Sequence, residues 1–66
     1  MQLSLNGQQR EFPDGLTVAG LIEHLELTGK RVALERNGDI VPKSQHASTL
    51  LAHGDVLEMV VAVGGG

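Results

Sequence analysis

The side chains best suited to chemistry in this sequence do not assemble into a reactive set. There is no cysteine, hence no thiolate nucleophile, no disulfide framework and no thiolate cage for a metal. Ser4, Ser44 and Ser48 stand apart from any histidine and acid arrangement legible in the sequence. His46 and His53 are far from metal-ligand spacing, with no third ligand beside them, and read as surface or loop histidines. His24 falls on the polar side of a helix, in solvent. Asp14, Asp39 and Asp55 each adjoin a glycine, which marks turns rather than acid–base catalysis. One group remains. The sequence closes on "VLEMVVAVGGG", a strand running straight into glycines. No helix follows to make "VGGG" a phosphate cradle. Residues without β-carbons thread channels too narrow for others, and three extended residues reach roughly 10 Å. The reactive group so delivered is the α-carboxylate of Gly66, with Gly64 and Gly65 as its approach.

What must position that group is a small body. A chain of 66 residues is a single domain, expected to span residues 1–63, with a flexible glycine tail at 64–66. A domain this small buries only about 60% of the surface its unfolded chain exposes. Its core is aliphatic, because Phe12 is the sole aromatic residue. The net charge of −3 comes with no cluster of lysine or arginine, which argues against a nucleic-acid partner. A mildly acidic surface is compatible with a basic protein partner. No apolar run approaches the roughly 18 residues that suggest a membrane span. "MQLSLNGQQREF" lacks the basic start and apolar run of a signal peptide. A cytoplasmic location is expected, in keeping with the missing cysteines.

Periodicity supplies the elements. Met1, Leu3 and Leu5 alternate with polar residues, the period of a half-buried strand, and Asn6-Gly7 predicts a two-residue hairpin turn. A short polar strand follows and closes on Phe12 before "PDG" breaks it. Thr17 reads as a helix N-cap. Val18, Leu21, Ile22 and Leu25 fall on one helical face. Gly29 is the expected stop, with Lys30 and Arg31 favourable for the helix dipole. Gly20 inside that helix is expected to permit close approach to a sheet. "RVALERNGDIV" is a second hairpin about Asn37-Gly38, ended by Pro42. "KSQHASTLLAHGD" has no clean period and reads as a loop with a short helical turn and a brief edge strand near Leu50 and Leu51. "VLEMVVAV" is the last strand. The order is ββαββ with a final β. The helix must bury its stripe on the sheet, with the first and last strands paired in the middle. The expected fold is α+β, a β-grasp or ubiquitin-like roll: a mixed sheet of four to five strands with one main helix on one face.

With those elements in place, the chain resembles the sulfur carrier family of thiamine (thiazole) biosynthesis, which is ubiquitin-like. The likeness is carried by "MQLSLNG", "ERNGDIVPKSQH", "HGDVLEMV" and "VGGG". It implies that Gly66 is adenylated with ATP by an E1-like adenylating enzyme. Sulfur from cysteine, relayed by a cysteine desulfurase, then displaces AMP and leaves a thiocarboxylate. It implies that thiazole synthase draws its sulfur from there. Gly64 and Gly65 correspond to the family's tail; the third glycine is a variation on the usual two. The chain itself would then be a protein co-substrate and not an enzyme, with no catalytic residue, no metal site and no cofactor of its own.

Recognition by such partners needs a surface. In the last strand Leu57, Met59 and Val61 alternate with Glu58, Val60 and Ala62. The first set is expected to face the helix. The second is expected to face the open side of the sheet and form the partner-binding surface. Three alternatives remain. One is a carrier like the small subunit of molybdopterin synthase, with the same thiocarboxylate chemistry and another acceptor. The others are a ubiquitin-like modifier of lysines and an interaction module with an inert tail.

Overall fold

The Asn-Gly pairs at 6–7 and 37–38 each take two positive φ angles, 51° and 81° in the first and 51° and 89° in the second. This is the backbone of a two-residue turn whose twist matches that of the strands it joins. The first turn links β1 (Gln2–Leu5) to β2 (Gln8–Glu11), with Leu5 opposite Gln8. The second links β3 (Val32–Arg36) to β4 (Asp39–Val41), with Arg36 opposite Asp39. The last strand, β5 (Val56–Val61), lies between the hairpins. It runs parallel to β1 through Ser4–Val56 and Leu5–Leu57, and antiparallel to β3 from Val32–Val61 to Arg36–Leu57. The sheet order is β2-β1-β5-β3-β4. This computed structural model describes residues 1–62.

Between the hairpins, α1 (Val18–His24) starts as its sequence predicts, with the Thr17 hydroxyl accepting the Gly20 amide at 3.1 Å. The loop before β5 takes two more of the helix's first amides: Val18 donates to Thr49 and Ala19 to His46, each at 2.9 Å. An end that would otherwise leave buried donors is satisfied. Val18 and Leu21 are fully buried against Leu3, Leu34 and Leu57 of the sheet, while Ile22 and Leu25 are half-buried at the margin. Phe12, Val41, Leu51 and Met59 complete the core.

Four sequence expectations are corrected. The helix ends at His24, well before Gly29, because Glu26 turns left-handed at φ 60°. Gly20 does not open the way to the sheet. A Cβ there would meet Leu16 Cδ2 at 3.1 Å and Thr17 Oγ1 at 3.4 Å, so the glycine makes room for the N-cap. His46 is not a surface histidine. It is 8% exposed, and its Nε2 donates to the Val41 carbonyl at 3.1 Å. The 3-10 turn Lys43–Gln45, set off by Pro42, carries it inward. In the rest of the aperiodic segment Gly54 turns as read, with φ 88°, while the edge strand expected near Leu50 and Leu51 is only an isolated bridge from Leu50 to Thr17.

Candidate functional site

A strand shows alternate side chains to opposite faces. In β5, Leu57 and Met59 are buried under α1 and Val61 is half-buried. Glu58, Val60 and Ala62 are exposed on the other face, Val60 to 68%. The residues expected to form a recognition surface therefore do lie together on the open side. Register extends that surface sideways. Ala33 stands opposite Val60, Glu35 opposite Glu58, and Ile40 of β4 opposite Glu35. Ile40 and Val56 are 74% and 52% exposed, so the face is apolar with two acids sharing one rung. Gly64, Gly65 and Gly66, and the boundary expected after residue 63, lie outside the described residues.

The strand is anchored by residues that sequence reading assigned only to turns. The Asn6 side chain clasps Met59 from the first hairpin: its Nδ2 donates to the Met59 carbonyl at 3.1 Å and its Oδ1 accepts the Met59 amide at 2.7 Å. Asn37 holds the start of β5 with one side-chain and one backbone bond. Its Oδ1 accepts the Val56 amide at 2.8 Å and its backbone amide donates to the Val56 carbonyl at 2.7 Å. Asp55 is the second missed feature. It is only 6% exposed and receives the Arg36 Nε at 2.7 Å, the Ala52 amide at 2.9 Å and the Asn37 Nδ2 at 3.0 Å. Burial alone would raise its carboxyl pKa, but these three donors outweigh it and hold the group below its usual 3.8. The Gly54-Asp55 turn signal was right about the backbone and silent about this cluster. No local pattern marks which turn residue will find a partner nineteen positions away.

Among the described residues no group of three or more His, Asp or Glu could hold a metal ion. His53 is exposed and accepts the Gln2 amide on Nδ1 at 3.0 Å. His24 is exposed, with its ring edge-on to Phe12 at 5.5 Å. Among the described residues no helix is long and apolar enough to cross a membrane. Beside the open face, between α1, the 3-10 turn and the start of β3, lies a groove of about 760 Å³ to which Val60 and Ala62 contribute.

A five-stranded mixed sheet that wraps one short helix and exposes one face of its central strand is a β-grasp, ubiquitin-like fold. The comparisons narrow this class. The model of the ThiS family matches residues 3–66, and the chain belongs to that family. It is 37% identical over 65 residues to the sulfur carrier protein ThiS of Bacillus subtilis, covering 97% of this chain and 98% of that one. The crystal structure of a thiamine biosynthesis protein from Geobacter metallireducens superposes with a TM-score of 0.83 at 28% identity, over the full length of both chains. The chain is also 44% identical over 66 residues to a thiazole synthase of Paramagnetospirillum magneticum, and there it spans only 20% of the relative's length.

Proposed function

We propose that this chain carries sulfur for thiazole formation in thiamine biosynthesis, and that the carrying atom is the C-terminal carboxyl carbon of Gly66. The observation that carries the proposal is the family match through residue 66 on a fold whose central strand leads toward that end with an exposed apolar flank. A carboxylate with an α-carboxyl pKa of about 3.5 is ionised and a poor electrophile at neutral pH. An adenylating enzyme using ATP would make the acyl-adenylate, with pyrophosphate released. A sulfur nucleophile supplied through a cysteine desulfurase relay would displace AMP and leave the thiocarboxylate. The protein contributes position and recognition, and its partners contribute catalysis. Glu58, Val60 and Ala62 are the proposed docking surface. The likeness to proteins named thiazole synthase supports a thiazole synthase as the acceptor rather than molybdopterin synthase chemistry.

The test is intact-mass and tandem mass spectrometry after incubation with the adenylating enzyme, ATP and a sulfur source. Oxygen should be exchanged for sulfur at Gly66 and nowhere else. Removing Gly66 should abolish transfer while leaving the fold intact, because the carboxylate then stops about 3.3–3.6 Å short. Gly65→Val should hinder activation through its branched β-carbon. Sulfur or AMP on an internal residue, or thiazole formation by the truncated chain, would overturn the proposal.

A further inference from the structure

The chain has five lysines and arginines, and three of them, Lys30, Arg31 and Lys43, line the groove beside β3, where Glu23 is the one acid among the described lining residues. All three are exposed, and among the described residues none pairs with a carboxylate; Arg36, by contrast, is taken by Asp55. An acidic protein has thus gathered most of its positive charge around one concavity. Ile22, Val32 and Val60 give that concavity apolar walls.

The backbone adds a third element. Arg31 accepts the Ala62 amide at 2.9 Å, and Asn37 donates to Val56 at 2.7 Å. Antiparallel pairing alternates, so odd-numbered residues of β3 turn their backbone groups toward β5 and even-numbered ones turn theirs toward β4. Leu34 and Arg36 meet Val41 and Asp39 there. Val32 points the same way, but β4 has ended at Val41 and Pro42 has led the chain off. The Val32 amide and carbonyl have no backbone partner among the described residues. They form a short open edge facing the groove.

We propose that this groove takes an extended acidic segment of a partner protein as an added strand on β3, continuing the sheet where β4 leaves it. Main-chain hydrogen bonds to Val32 would hold the segment. One set of alternate residues would be apolar and face Ile22 on the helix side, and the other would be acidic and face the cations Lys30, Arg31 and Lys43. A small anion would meet the cations and leave the apolar walls and the open edge unused. The far edge of the sheet offers no such site: β2 presents Gln8, Gln9, Arg10 and Glu11, all exposed and polar, which is how edges are protected from pairing. The proposal does not depend on sulfur transfer at Gly66, so the two fail separately.

The experiment is a titration of the full-length, nitrogen-15-labelled chain with a short synthetic peptide of alternating valine and glutamate. Amide shifts should centre on Val32, Ala33 and Ala47, and exchange of the Val32 amide should slow. Reversing charge in Arg31→Glu with Lys43→Glu should weaken binding by about tenfold, the sum of two surface ion pairs. Equal binding of a valine–lysine peptide, shifts confined to Val56 and Glu58 or to β2, or complete displacement by inorganic phosphate would each overturn it. An unchanged Val32 exchange rate at saturation would overturn the added strand.

Discussion

The two Asn-Gly hairpins share one turn and do different work. Their φ angles agree within 8°, yet Asn6 and Asn37 bond to β5 in different company. The Asn6 side chain meets Met59 through a pair of bonds at the middle of the strand, and its backbone amide donates to the Leu57 carbonyl. Asn37 meets Val56 and is tied by its other atom to Asp55, and so to Arg36. The first attachment is a two-bond clip and the second is one corner of a buried charged cluster. The lesson is that the local sequence sets the turn, while the neighbour reached by the fold sets the duty of its side chain. The same residue is therefore worth different amounts in the two places.

The sharpest way to separate the hairpins is Asp55→Ala. It leaves Arg36, Asn37 and the Ala52 amide without their acceptor and should cost about 2–4 kcal/mol in denaturant titration. Exchange at Met59, held by the other hairpin, should change only with global stability. A smaller loss is expected for Asn6→Gly, which keeps the positive φ and removes the clip: about 1–2 kcal/mol, with faster exchange of the Met59 amide. If the two variants cost the same, the cluster adds nothing to the turn and the comparison collapses. Acid provides a third handle. The folded-state pKa of Asp55 is lowered from 3.8, so its stabilisation is full above the unfolded value and is lost as pH falls through the lower folded one. Stability followed by circular dichroism should fall below about pH 4, and Asp55→Asn should flatten that part of the curve. The smallest effect belongs to Val60, which belongs to neither attachment. Val60→Asp should change stability by under about 1 kcal/mol. It should nonetheless weaken binding to the proposed adenylating partner, as calorimetry of the pair would show, because a charge pressed into an apolar contact loses its water.

Most of the architecture was legible because its signals are local. Alternation in "MQLSL" and "VLEMVV" fixed which side chains enter the core, and two Asn-Gly pairs fixed both hairpins. The exposed set Glu58, Val60 and Ala62 followed from the same period. What escaped was decided at a distance. His46 lies in a stretch without a period and is buried by the path of the loop that carries it. Asp55 announces a turn, and its partners arrive from β3. The helix stop was misplaced because glycine is the usual left-handed residue, and here Glu26 takes that conformation first. The groove could not be read at all, since Lys43 stands apart in sequence from Lys30 and Arg31 and joins them through the departure of the chain at Pro42.

The position of β5 has a consequence for how the molecule comes into being. Each hairpin can close by itself among near neighbours, but the two share no pairing with each other; the strand between them is the last described one in the chain. The Asn6–Met59 bonds join residues 53 positions apart. Loop closure over such a span must precede any reward from the contact, which slows folding relative to local pairing. A nascent chain that has not yet made residues 56–61 holds two separate hairpins with open inner edges and half a core. Completion of the sheet therefore waits for residues 56–61, the strand that leads toward Gly66.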